Sequence, residues 1–214
     1  MEGCTHVKEQ LLPILLYAHI AAGGTALLTG LTAIVAAKGG KVHKRSGKIY
    51  FYAMLLVALS ALVISVVKSN AFLLVISIFS FYLNYFGYRA LKNKAVKFAW
   101  YDWVVVVFSA ATSLYMLYTR NIVLLAFGAL LLSLLARAVW VQFGNEEQLK
   151  EARRTRILSH SGNMLGSYIA TVTAFAVVNI NFVKPGWIVW LLQTALGLPA
   201  ILYYNRKWKA KLKQ

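Results

Sequence analysis

The sequence predicts an all-α integral membrane bundle of seven transmembrane helices, with the N-terminus outside and the C-terminus cytoplasmic. Three observations carry this. Hydrophobic residues make up 60% of the 214 residues and mean hydropathy is +0.64, whereas a soluble domain is at most about half apolar. Seven apolar runs are each long enough to cross the roughly 30 Å hydrocarbon layer, which takes a helix about 20 residues. The basic residues, 23 Lys and Arg against 6 Asp and Glu, gather in alternate connections, as the positive-inside rule requires.

In order, the first span covers residues 11–37. It continues too far for a cleaved leader, and its flank carries Glu2, Lys8 and Glu9 instead of a basic stretch. The lone Cys4 reads as an ordinary N-terminal thiol. The second span, 49–67, follows a connection filled by Lys38, Lys41, Lys44, Arg45 and Lys48. The third, 71–91, leads into Arg89, Lys92, Lys94 and Lys97; the fourth, 98–119, opens on the interfacial aromatics Trp100, Tyr101 and Trp103. After the fifth span, 122–143, come Lys150, Arg153, Arg154 and Arg156, and then the sixth, 157–180. The seventh, 186–205, is bracketed by Trp187 and Trp190 at one end and Tyr203, Tyr204 and Trp208 at the other. Pro199 should loosen it. The tail adds Arg206, Lys207, Lys209, Lys211 and Lys213, while the opposite connections hold only Lys8, Lys68, Arg120 and Lys184. The whole chain, 1–214, is expected to be a single transmembrane domain.

The net charge of +17 is therefore a topological signal. Nucleic-acid binding is excluded, because it needs basic residues on one exposed face and these are confined to short segments between spans. The partner expected of the basic side is a bilayer with anionic inner-leaflet headgroups, and the location a bacterial cytoplasmic membrane. A transmembrane barrel is excluded by continuous apolar runs where its strands would alternate. No zinc-type Cys/His spacing exists, so no metal site is expected. A homo-oligomer is compatible with the sequence.

An ionisable side chain within a span marks a site candidate, since exposing it to lipid costs at least about 2.5 kcal/mol. Four qualify: His19, Asp102, Arg137 and His160. By the assigned orientation the last three share the cytoplasmic leaflet. At 100° per residue His160, Asn163, Ser167 and Thr171 form one stripe on the sixth span, and Asp102, Ser109 and Ser113 another on the fourth. Asn84 and Tyr88 on the third span and Ser133, one turn before Arg137, would complete a polar cavity open to the cytoplasm. The ligand-binding candidates are thus Asn84, Tyr88, Asp102, Arg137, His160, Asn163 and Ser167. A structural reading stands beside each: an Asp102–Arg137 ion pair, an Arg137 that snorkels to headgroups, a His160 that caps its helix. His19, on a stripe with Gly23, Ala26 and Gly30, and Gln193 form a second intramembrane site candidate, or simply an interhelical hydrogen bond. His43 falls in a cytoplasmic connection and His6 outside.

The run HIAAGGTALLTGLTAIVAAKGGKVHKRSGKIYFYAM, from His19 to Met54, and RILSHSGNMLGSYIA, from Arg156 to Ala170, resemble an uncharacterised bacterial family of multispanning membrane proteins, domain of unknown function two-three-zero-six. Together they cover about a quarter of the chain. The family's late motif often carries a basic pair and a tryptophan; here Ser159 precedes His160 and the tryptophan is missing. The resemblance marks His19, His43, Arg45, Gly47, His160, Met164, Ser167 and Tyr168 as signature positions and implies no activity.

Three functions compete. The first is a bundle that binds, senses or transports a small polar or anionic solute through the cytoplasmic-side cavity, without a cofactor. The second is a membrane cytochrome with haem b, for which His19 and His160 would be the ligands, or His43 in place of one. The third is an intramembrane lipid-modifying enzyme with His160 as base and Asp102 as its orienter.

Overall fold

The computed structural model describes residues 2–180 and 182–213, with side chains for 11–180 and 182–210. Cys4, His6, Lys8, Lys211 and Lys213 therefore lie outside the described side chains. Seven helices follow in order: α1 (Glu2–Val35), α2 (Lys41–Val67), α3 (Ala71–Lys92), α4 (Trp100–Tyr118), α5 (Ile122–Gln142), α6 (Glu146–Asn179) and α7 (Trp187–Lys213). All seven are long and apolar enough to span a membrane, and no strand occurs among the described residues.

Three stretches expected as connections are helical. α2 begins at Lys41, α6 at Glu146, and α7 runs on through the basic tail. Hydropathy locates the lipid-embedded part of a helix, not its end. At 1.5 Å per residue the 34 residues of α6 reach about 51 Å, well beyond the hydrocarbon layer. Its charged first turns are kept helical by a capping box: the Asn145 side chain accepts the Gln148 N–H at 2.9 Å, and Gln148 Oε1 accepts the Asn145 N–H at 3.1 Å.

The chain folds as two compact units, residues 1–81 and 82–214. In the first, α1 and α2 form an antiparallel hairpin that turns at Gly39, whose φ of +78° is open to glycine at little cost. The orphan carbonyls at the end of α1 are met by side chains: Lys38 Nζ donates to Ala33 O and Ile34 O, and His43 Nδ1 donates to Ala33 O at 2.9 Å. Ala22, Ala26 and Gly30 form the buried stripe of α1, facing outward being left to larger apolar side chains. Gly23, expected to admit a neighbouring backbone, has open space where a Cβ would stand.

In the second unit, α4 buries Asp102, Val106, Ser109, Ser113 and Met116, and α5 buries Val123, Phe127, Leu131 and Leu135, both at helical spacing. The two meet at Gly128, whose carbonyl accepts the Ser113 hydroxyl at 3.0 Å. α6 and α7 pair antiparallel through Ser161 with Asn205 (3.1 Å) and Glu151 with Lys209 (3.2 Å).

Candidate functional site

Asp102 sits in the first turn of α4, fully buried. Its carboxylate is saturated. Oδ1 accepts from Arg89 Nε at 2.8 Å and from the Tyr85 hydroxyl at 2.5 Å, and Oδ2 accepts from Arg89 Nη2 at 2.8 Å and from the Ala99 N–H at 2.8 Å. Four donors fill the four lone-pair positions of an ionised carboxylate, and the arginine fork is bidentate. The guanidinium also lies 5.1 Å from the Tyr101 ring centroid. Asp102 thus starts α4 and ties it to α3. It has no lone pair left for a ligand or for a histidine.

The connection that brings α3 and α4 together is itself fastened. Gln142, the last residue of α5, accepts the Phe98 N–H at 2.8 Å and donates to Val96 O at 3.2 Å, and Lys97 Nζ donates to Gln142 O at 2.7 Å. Val96 is held at φ +67°, a left-handed conformation that a β-branched residue adopts only against steric cost. Gln142 supplies the bonds that hold it there.

On the other side of α3, α6 grips the last turns. His160 Nδ1 donates to Gly87 O at 2.8 Å, and Arg156 Nη1 donates to Leu91 O at 3.4 Å. The donors are one turn apart, as are the acceptors, so one helix face caps the other's end and Arg156 meets the negative pole of α3. The close approach depends on Gly87, where a Cβ would stand 2.6 Å from Met164 Sδ. His160 and Met164 of the late motif thus have a packing role.

The structure brings some expected site residues together and separates others. Asn84, Asp102, Ser109, Ser113 and Ser167 are buried at no more than 1% exposure, so they sit in packed protein instead of lining an open cavity. Ser109 Oγ has no hydrogen-bond partner among the described residues. Tyr88 is half-buried with Lys92 Nζ 5.6 Å from its ring centroid. Asn163 is half-buried and its Nδ2 donates back to Ser159 O at 3.0 Å. Tyr168 and Gly47 are half-buried and Arg45 exposed. The Asp102–Arg137 pair is not formed: Arg89 takes that place, and Arg137 and Ser133 are exposed on α5. The pairing of His160 with Asp102 is not formed either, since the Gly87 carbonyl holds the ring. In the first unit His19 Nδ1 lies 2.9 Å from Ser60 Oγ; in the second, Gln193 Oε1 is buried with no hydrogen-bond partner among the described residues.

Arg137 instead lines an open groove of about 520 Å³, walled by α5, α6 and the end of α7 and including Trp140, Glu147, Glu151, Ser159 and Lys209. Among the described residues Arg137 makes no hydrogen bond and no ion pair, unlike Glu151 and Lys209, which hold each other. Among the described residues no three His, Cys, Asp or Glu side chains converge as a metal site would need.

Sequence reasoning overlooked Arg89, Tyr85, Gln142 and the acidic side of the groove. The signal for Arg89 was available: it precedes Asp102 by thirteen residues across one short connection, so two antiparallel helices must bring them level. Counting it as a loop residue hid it. The groove carried no such signal, because Glu147 and Glu151 were placed outside any helix.

No curated protein and no solved structure matches the chain. A family profile does: that described as Predicted membrane protein (DUF2306) matches residues 16–142. The match includes the first resembling element and ends before the second. Since it spans more than half of the sequence, the chain belongs to this family of predicted membrane proteins.

Proposed function

We propose that this multi-pass protein of the bacterial cytoplasmic membrane, N-terminus outside, binds a small polar or anionic solute in the groove at Arg137. One observation carries the reading: an exposed arginine inside a span, without a partner among the described residues, in the wall of a 520 Å³ groove. That volume lies in the range of about 300–1,000 Å³ usual for small-molecule sites. Arg137 stands five residues before the end of α5, about 7.5 Å in at the helical rise. A guanidinium near the membrane boundary with no partner among the described residues offers an anion in the groove a bidentate, charge-assisted contact. Asp102 and Arg89 serve the scaffold in this reading.

The test is calorimetric titration of the full chain in dodecyl maltoside with glycerol phosphate. Saturable binding at one site is expected, weakened about tenfold in Arg137→Gln, the scale of one lost charge-assisted contact. Wild-type affinity in that variant would contradict the reading.

A second reading, haem b, is favoured by the tautomers. A carbonyl only accepts, so His160 and His43 carry their protons on Nδ1. Ser60 gives its own proton to Leu56 O at 2.6 Å, so His19 donates from Nδ1 as well. In a neutral ring an Nδ1 donor places the proton-free nitrogen at Nε2, the tautomer that ligating histidines take. If haem is bound, oxidised and reduced spectra of protein from haem-replete cells will show a Soret band that His160→Ala or His19→Ala abolishes. A colourless, folded protein would remove this reading.

A further inference from the structure

We infer that the groove at Arg137 takes a zwitterionic ligand, a phosphodiester joined to a primary ammonium, whose ammonium end is held by Glu147. This rests on the binding reading above and specifies its ligand. Glu151 and Lys209 neutralise each other at 3.2 Å. Of the other charged side chains in the groove, Arg137 and Glu147, neither has an ion-pair or hydrogen-bond partner among the described residues. They are opposite in sign. A ligand with only negative charge satisfies Arg137 but is repelled by Glu147; a simple cation meets the reverse. A ligand carrying both charges in order satisfies both.

The order along the helices agrees with a phospholipid headgroup. Arg137 lies inside the end of α5, whereas Glu147 lies in the first turn of α6, beyond that end. In a lipid of the adjacent leaflet the phosphodiester is the deeper group and the ammonium the outer one. Trp140, 70% exposed, supplies an aromatic face on which a primary ammonium or a glycerol carbon can rest. The free headgroup, glycerophosphoethanolamine, presents the same charges, so lipid and soluble solute share one chemistry.

The test compares glycerophosphoethanolamine with its N-acetyl form, which keeps the phosphodiester and loses the positive charge, and the same pair as dihexanoyl lipids, on the full chain in dodecyl maltoside. The wild type should bind the amine about five- to tenfold more tightly than the acetylated partner. Glu147→Gln should erase that preference, weakening the amine and, with the repulsion gone, strengthening the acetylated compound, and Glu151→Gln should retain it. Binding by both pairs identifies a soluble headgroup as sufficient; binding by the dihexanoyl pair alone identifies the lipid as the source, with the preference read there. Equal affinity for amine and amide in the wild type, or a preference that survives Glu147→Gln, would overturn the zwitterion and leave anion binding intact. No binding of any of the four compounds would overturn both. The exposed Glu147 leaves the fold unaffected, and an unchanged melting temperature in each variant checks this.

Discussion

Replacing Arg89 with leucine is expected to destabilise the protein by about 3–5 kcal/mol, the loss seen when one partner of a buried ion pair is removed. Asp102 is fully buried, and without the guanidinium its negative charge would retain only the Tyr85 hydroxyl and the Ala99 N–H. Deleting both charges together in Arg89→Leu/Asp102→Leu should recover much of the loss, because no unpaired charge is then buried. Arg89→Lys should fall between, keeping the charge but not the fork. Heating the variants in detergent and reading the monodisperse fraction by size exclusion measures all three. Equal loss in the single and double variants would show that the pair is not what holds α3 to α4.

The second large effect is expected at Gly87. A Cβ there meets Met164 Sδ at 2.6 Å, Cγ at 2.9 Å and the backbone nitrogen at 3.2 Å. Gly87→Leu should force α3 and α6 apart and detach His160 from the Gly87 carbonyl, leaving a half-buried histidine N–H without its acceptor on top of an overpacking cost of about 1–3 kcal/mol. Gly87→Ala should be milder, and Met164→Ala should rescue it in part by vacating the space that the flexible thioether fills. Gly23→Ala, with nothing within 4 Å of the added Cβ, should be neutral or slightly stabilising, since alanine favours a helix by up to about 1 kcal/mol over glycine. Melting temperatures of the four variants decide this. A Gly87→Leu protein as stable as the wild type would refute the described α3–α6 seam.

The seven helices were legible because a hydrocarbon layer demands a run of apolar residues, and nothing else in a protein of this size produces seven. The ends of α2, α6 and α7 were not, since helices that pass into water lose the hydropathy signal while keeping their hydrogen bonds. Asp102 stood out as an acid within a span, and its burial agrees with that. Its partner was left open, with Arg137 as one candidate, because α5 is apolar all round and the sequence contains no rotational phase for Arg137. Only packing, with Phe127, Leu131 and Leu135 turned inward, shows that Arg137 faces out. His43 was marked by resemblance alone, and His160 also as an ionisable residue within a span; their use as donors to carbonyls in the last turns of α1 and α3 follows from tertiary neighbours that spacing does not encode.

The proposed function divides the labour of the second unit: Asp102 and Arg89 hold the scaffold, while Arg137 faces the ligand. It is tested by melting the full chain in dodecyl maltoside with and without saturating dihexanoyl phosphatidylethanolamine. The wild type should gain several degrees from the ligand. Arg137→Gln should melt at the wild-type temperature when free and gain nothing. An Arg137→Gln protein that keeps the ligand-induced rise, or that melts as low as Arg89→Leu without ligand, would contradict the division.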